Sequence, residues 1–298
     1  MKKNILIGIP TYNEEKAISN IVNDLYVFLK QHDKNFVFDV VFFDDGSIDK
    51  TVEILKNISN FKIIEGKGNK GLGFGIKSLL NYAKDNNYDG FVKLDGDNQM
   101  LVTDIRLFID EYNTSKSDVI YGNRFFKESD YKMSISRKMG SKFFKFVFYI
   151  IGIKVKDPTN GFIFLSKNYI NDFFIFGNFN AAQQILLDCK LRKLKFSQIN
   201  ITLEARTSGK SFIGIKYPIY VLTNMIGLLV FRKHNSLLMV PGIFLLLIGL
   251  FLFIYNIYIW LLGTANSILS DPVLIIFLVV GFFMFVTGLL IQLIKKDN

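Results

Sequence analysis

FVKLDGDNQM, residues 91–100, begins as an apolar run, Phe91 to Leu94, and stops at Asp95, Gly96, Asp97, Asn98 and Gln99. Asp, Gly and Asn are ordinary turn residues, so a plain turn is one reading. Two acids one residue apart, followed by an amide, are also a set of hard oxygen donors, and a divalent-cation site is the other reading. Position decides between them, and position is read from the segments on either side.

The first 125 residues alternate strand and helix patterns. NILIGI (4–9) is a short apolar run. In TYNEEKAISNIVNDLYVFLKQH the apolar residues Ala17, Ile18, Ile21, Val22, Leu25, Phe28 and Leu29 recur at helical spacing. Asn13 is a suitable cap for that helix, with Glu14 and Glu15 in its first turn. FVFDVVFF (36–43), FKIIE (61–65), GFVKL (90–94) and DVIYGN (118–123) read as strands; SIDKTVEILKNI and GLGFGIKSLLNYAKDN read as helices. Such alternation implies an α/β fold, a mostly parallel sheet with helices on both faces. Ligands of open α/β sheets bind beyond the carboxyl ends of the strands. Pro10 to Glu14 follow the first strand, Asp44-Asp45-Gly46-Ser47 the second, and Asp95-Gly96-Asp97 a later one. Three polar clusters at one sheet edge favour a binding site over three unrelated turns.

Carboxylates and an amide, with no nearby His or Cys, suit Mg²⁺ or Mn²⁺. Such ions bind through one or two carboxylates plus substrate phosphates, so the expected ligand is a diphosphate. Arg124, Arg137, Arg206 and Lys210 are the basic residues downstream that could meet it. The lone Cys189 permits no intrachain disulfide, which fits a reducing compartment, and having only His32 and His234 beside it argues against a Cys/His zinc site.

The C-terminal quarter is of another kind. From Leu237 to Ile294 the only charged residue is Asp271. Leu237–Leu262 and Val273–Ile294 are each long enough to cross a hydrocarbon core of roughly 30 Å as a helix. Arg232 and Lys233 precede the first span, Lys295 and Lys296 follow the second, and the connection carries no Lys or Arg. The positive-inside rule then places both ends and the large N-terminal part in the cytoplasm, at the cell (inner) membrane. The N-terminal MKKNILIGIP has too short an apolar run for a signal peptide. A net charge of +10 fits nucleic acid or an anionic membrane. The basic residues cluster at Lys132–Lys156 and Lys190–Lys233 among apolar and aromatic ones, which favours the membrane, and no nucleic-acid-binding motif is present. KFFKFVFYII (142–151) reads equally as a helix lying in the membrane interface or as a core helix.

IPTYNEE (9–15), FFDDGSIDKT (42–51), KGLGFGIKSLLNYA (70–83), LDGDNQM (94–100), YGNRF (121–125), DPTNGF (157–162) and RTSGKS (206–211) occur in that order. Together they resemble the family 2 glycosyltransferases with a GT-A-type nucleotide-sugar-binding fold, and most closely the dolichyl- and polyprenyl-phosphate sugar synthases. The two C-terminal spans are similar to the bacterial polyprenyl-phosphate glucosyltransferase branch. The resemblance implies a catalytic domain over residues 1–215, a juxtamembrane segment over 216–236, and transmembrane helices over 237–262 and 273–294. It implies that Pro10, Tyr12 and Glu14 line the nucleotide pocket and that Asp45 accepts a hydrogen bond from the base. Asp95 would sit beside the nucleotide and the metal, Asp97 would be the principal metal ligand, and Gln99 would complete the shell. Arg124 would lie near sugar and diphosphate; Arg137 and Arg206 would contact phosphates. Many members have a Lys where Phe212 stands here, and Lys210 is the substitute cation.

The activity so implied is inverting transfer of a sugar, glucose foremost, from a nucleotide sugar (UDP before GDP) to polyprenyl phosphate. Some relatives assemble through their membrane region, which leaves a homo-oligomer open. The rival readings are transfer to a lipid-linked glycan or glycerolipid, a processive polysaccharide synthase, and a non-catalytic scaffold. A processive synthase typically carries QxxRW, and the single tryptophan, Trp260, lies at the end of the first span.

Overall fold

The computed structural model describes residues 2–31, 33, 35–126, 135–179, 181–204, 217–232, 236–263 and 272–296, with side chains in helix 135–150 described from Lys138. The chain forms two compact units, Met1–Met225 and Ile226–Asn298.

In the first unit the elements run β1 (Lys3–Thr11), α1 (Ile18–Lys30), β2 (Phe36–Asp44), α2 (Thr51–Ile58), β3 (Lys62–Glu65), α3 (Leu72–Asp85) and β4 (Gly90–Lys93). A short 3₁₀ turn leads to α4 (Ile105–Ser115), β5 (Val119–Asn123), α5 (Ile135–Ile150), β6 (Ile163–Ser166), α6 (Lys167–Asn171), α7 (Ala182–Leu191) and β7 (Phe196–Asn200). The strands form one sheet in the order β3-β2-β1-β4-β6-β5-β7. Only β6 runs against the others, so the expected mostly parallel sheet is present. The sequence reading stopped short of β6 and β7, which complete the sheet beyond β4.

β1 is buried without a break from Ile5 to Thr11, the signature of a strand covered on both faces. Ile5, Ile7 and Ile9 join Ile18, Ile21, Val22 and Leu25 of α1, Leu55 of α2 and Phe108 of α4 in one core. The alternate residues point the other way, where Leu79 of α3 and Phe91 of β4 meet above Gly8. Each such fully buried Leu, Ile or Phe contributes roughly 1.5–3 kcal/mol. β1 connects to β2 on one side and is paired with β4 on the other, so the order reverses between β1 and β4. That switch point is where a ligand crevice forms in this class of sheet.

One expectation changes. Asn13 does not cap α1. The helix starts at Ile18 with no side-chain cap, and Asn13 takes a left-handed conformation (φ 55°). Its side-chain oxygen accepts from Ile48 N–H across the loop instead, and its backbone N–H donates to Ser47 Oγ. The segment 142–151 lies in helix α5, which buries one side, with Phe144 and Phe148 wholly buried, and leaves Met139, Phe146, Tyr149 and Ile150 about two-thirds exposed on the other.

α8 (Tyr217–Arg232) is an apolar helix. α9 (Ser236–Leu261) and α10 (Pro272–Lys296) pack on each other and are long and apolar enough to cross a membrane. At 1.5 Å per residue the 26 residues of α9 span about 39 Å. Few of their side chains are buried, and Phe244, Leu247, Phe251, Ile254 and Tyr258 form an exposed stripe. A soluble core hairpin would hide that stripe.

Candidate active site

The carboxyl edge of the sheet is built from three loops joined by backbone donors and short polar side chains. The loop after β1 and the loop after β2 are laced together. Asn13 N–H donates to Ser47 Oγ (2.9 Å), and Asn13 Oδ1 accepts from Ile48 N–H (2.9 Å). Glu14 N–H donates to Thr51 Oγ1 (2.8 Å), and Glu15 Oε2 accepts from Lys50 N–H (3.2 Å). Asp44 closes its own turn by accepting from Gly46 and Ser47 N–H, both at 3.0 Å. Pro10 is the penultimate residue of β1, in register with Phe43, and Tyr12 is half-buried just beyond the strand.

Asp45 reaches the loop before α3. Its carboxylate accepts from Lys70 N–H (3.0 Å) and Gly71 N–H (2.7 Å), and its own N–H donates to Thr11 O (2.9 Å). It therefore ties the ends of β1 and β2 to the KGLG segment. Each carboxylate oxygen has two lone pairs, so a base donor can still be received. Gly73 N–H donates to Asn178 O (2.7 Å), which brings the segment 176–179 onto the start of α3. Gln184 on α7 holds that segment by both of its amide groups: Oε1 accepts from Phe176 N–H (2.7 Å) and Nε2 donates to Phe176 O (2.9 Å).

The turn 95–99 is pressed against β1: a Cβ added to Gly96 would stand 2.7 Å from Thr11 Cγ2, so no larger residue fits. Asp97 Oδ1 accepts from Gln99 N–H (3.2 Å), and Asn98 is left-handed (φ 57°). Gln99 Nε2 donates to Glu204 O (3.3 Å), Glu204 N–H donates to Gln99 O (2.9 Å), and Met100 bridges to Leu203. The carboxylate turn is thus joined to the chain that leads directly into RTSGKS. Arg206, Lys210 and Phe212 themselves lie outside the described residues, as does the Arg137 side chain, although Arg137 is on α5. Asp95 is paired with Lys93.

Arg124 follows β5 and is 9% exposed. Its Nε and Nη2 form a bidentate pair with Asp157 (2.5 and 2.9 Å), and Nη2 also donates to Thr159 Oγ1 (2.9 Å). Asn160 Nδ2 donates to Gly122 O (2.7 Å). DPTNGF is therefore a rigid seat beside the turn 95–99. Among the described residues no group of three or more Asp, Glu, His or Cys side chains forms a closed metal cage. Two carboxylates and an amide on one turn fit instead an ion that a diphosphate helps to hold, as Mg²⁺ and Mn²⁺ do. Cys189 takes no part: burial pushes its thiol up to about 12, which leaves no thiolate at neutral pH.

Lys93, Asn178 and Gln184 were not singled out by the sequence reading. The lysine had a signal, a charge inside an otherwise apolar central strand. The other two act through a backbone segment distant in sequence and had none.

A family model described as Glycosyl transferase family 2 matches residues 6–174. The UDP-N-acetylglucosamine–dolichyl-phosphate N-acetylglucosaminyltransferase of Methanococcus voltae is 28% identical over 221 residues, covering 67% of this chain and 85% of its own. A dolichyl-phosphate beta-glucosyltransferase of Trichomonas vaginalis is 23% identical over 244 residues, 76% of this chain and 73% of that one. Among solved structures, glucosyl-3-phosphoglycerate synthase from Mycobacterium tuberculosis in complex with Mn²⁺ and UDP-glucose is similar with a TM-score of 0.61. It is 14% identical, with 76% of this chain and 79% of that chain covered, and the likeness speaks to the fold alone.

Proposed function

The chain belongs to glycosyl transferase family 2 and is a glycosyltransferase with a GT-A-like fold, and from that premise we propose that it moves one sugar from a nucleotide sugar to the phosphate of a polyprenyl lipid. One observation carries the reading furthest. The Asp45 loop and the Asp95–Gln99 turn converge at the β1/β4 switch point, in a chain that also carries two helices of membrane length. The relatives named for transfer to dolichyl phosphate support a lipid-phosphate acceptor. UDP-glucose is the leading donor: one relative is named a glucosyltransferase and another for a UDP-sugar.

In this reading the pocket formed by Pro10, Tyr12, Glu14 and Asp45 receives the nucleotide. Asp97, with Gln99 beside it, holds a Mg²⁺ or Mn²⁺ ion, and Asp95 faces the nucleotide. The ion supplies charge stabilisation to the departing diphosphate. Arg124, Arg137, Arg206 and Lys210 add positive charge around donor and acceptor phosphates. An oxygen of the lipid phosphate forms the new bond to the anomeric carbon as the bond to the nucleoside diphosphate breaks, and the electron pair leaves with the diphosphate. Displacement of this kind inverts the anomeric centre. A phosphate monoester has its second pKa near 6, so the nucleophile is already ionised and needs no general base. α9 and α10 span the membrane as 237–262 and 273–294, with the catalytic domain (1–215) and both termini in the cytoplasm. The bilayer then concentrates acceptor and enzyme in one plane.

The test is nucleoside diphosphate release by the detergent-purified protein. It is supplied with undecaprenyl phosphate, Mn²⁺ and UDP- or GDP-sugars one at a time. Lipid-dependent release with one donor is the expected result. Donor binding without lipid-dependent release would move the acceptor to a glycan or a glycerolipid. A chain ended near Phe231 is expected to keep nucleotide binding and to lose at least about tenfold in transfer to the long-chain lipid. Equal rates would show that the spans contribute nothing to acceptor capture.

A further inference from the structure

We infer that the exposed face of α5 is a membrane contact made by the catalytic domain itself: a row of lysines meets anionic lipid headgroups while the apolar row beside it enters the interface. The inference goes beyond the proposed reaction and depends on neither the sugar nor the acceptor. α5 lies wholly in the first unit, and the inference concerns that unit alone.

α5 buries one side only. At about 100° per residue, Ser141, Phe144 and Phe148 fall on the same side, and all three are buried. The opposite side is divided lengthwise. Met139, Phe143, Phe146 and Ile150 follow one another at steps of four, three and four, the spacing of neighbours along a helix. All are exposed, Met139 and Ile150 by 66% each. Lys138, Lys142 and Lys145 form the adjacent row, continued by Tyr149, and these four are exposed as well. An apolar row of this length on a surface marks a place where something docks.

The lysines say what docks. From Lys138 to Lys156 the chain carries five lysines and no Asp or Glu. Lys154 and Lys156 are exposed just beyond the helix, and Lys190 of α7 joins them there, donating to Gly152 O (3.2 Å). A second copy placed face to face on a two-fold axis would set like charges against each other. An anionic bilayer answers both rows at once. Its interior takes the phenylalanines, and its headgroups take ammonium groups that reach them on flexible stems. Tyr149, apolar with a polar tip, suits the headgroup level. The contact bears on the site through the chain. Arg124 precedes α5 and Asp157 follows it, and the two close on each other as a buried ion pair. A helix fixed on the bilayer is thus bracketed by residues of the candidate active site.

The test uses the full chain with one surface label. The single native cysteine, Cys189, is buried with its thiol pushed up to about 12, so a cysteine placed on the surface is labelled selectively. Phe146→Cys reports α5. Val27→Cys, on α1 and 59% exposed, is the comparison. Each is labelled with a fluorophore and placed in nanodiscs that hold one chain, made of phosphatidylcholine with or without phosphatidylglycerol. In the anionic discs the label at 146 should be at least about threefold less accessible to aqueous acrylamide than the label at 27, and quenched by lipids carrying a nitroxide near the headgroup. That difference should shrink by at least about half in phosphatidylcholine alone, and equally in Lys138→Gln/Lys142→Gln/Lys145→Gln. Met139→Cys, in the same row, repeats the reading with Phe146 in place. Equal accessibility at 146 and 27 in anionic discs overturns the inference and leaves the face to a protein partner. Protection confined to discs that hold two chains overturns it in favour of a second copy. Protection that neither the lipid charge nor the lysines alter overturns the anionic surface as occupant. None of these readings involves sugar transfer, so the fate of the proposed reaction is decided separately.

Discussion

Asp97→Ala should abolish sugar transfer, by at least about a thousandfold, while shifting the thermal midpoint by no more than about 3 °C. The two halves of this expectation have different origins. Within the fold, Asp97 accepts the Gln99 N–H inside a partly exposed turn. A hydrogen bond to a carboxylate contributes about 1.5 kcal/mol at the lower end of its range, where a partly exposed bond of 3.2 Å belongs, and the turn is also held by the Gln99–Glu204 backbone contact and by Gly96 against Thr11. The transition state has more at stake. Charge builds on the departing diphosphate, and removing one preorganised partner of such charge costs a factor of about 10²–10³. Asp97 is the proposed protein ligand of the ion itself, so its loss should lie at or beyond the upper end. The checks are nucleoside diphosphate release, Mn²⁺ binding in the presence of UDP, and a melting curve. Full activity in a well-folded variant would remove the metal assignment.

The first half of the molecule was legible because it obeys local rules. Apolar runs at 4–9, 36–43, 61–65 and 90–94 are strands, buried in β1 and β4, buried over the second half of β2 and half-exposed in β3, and the helices between them carry their apolar residues at helical spacing. Where the reading failed, tertiary contacts had overridden local chemistry. Asn13, Glu14 and Glu15 are good helix-start residues, yet their polar groups go to the loop 47–51, and α1 begins later without a cap. β6 and β7 were missed for another reason: β7 (FSQIN) is half polar and only partly buried, so no apolar run marks it, and β6 is a four-residue strand whose partners β4 and β5 both lie upstream, with no following strand pattern to frame it. The site was legible as motifs but not as contacts. Asp45, expected to face a base, also organises the loop before α3 through two backbone N–H groups. Lys93 was absorbed into an apolar run, although a charge there has to be answered by a neighbour.

Arg124 is where motif and geometry ask different things of one side chain, and a paired substitution separates them. The resemblance puts it near sugar and diphosphate; the structure shows two of its nitrogens committed to Asp157, itself wholly buried. Arg124→Met leaves that carboxylate buried without its counter-charge. Breaking a buried pair from one side costs about 3–5 kcal/mol, so the thermal midpoint should fall by about 10 °C. Asp157→Asn on top of it removes the orphaned charge, and a buried pair taken out whole is often close to neutral for stability. The double variant should therefore recover more than half of the lost midpoint. Transfer should not recover with it. A positive charge lost beside a departing diphosphate is not replaced by an amide, and the rate should stay at least about a hundredfold down. Each outcome is read from two numbers in the same preparation. If stability and transfer both return, Arg124 acts only as a strut for DPTNGF. If stability returns and transfer does not, Asp157 is the device that holds a catalytic guanidinium in place, and the buried pair exists for the chemistry at its outer edge.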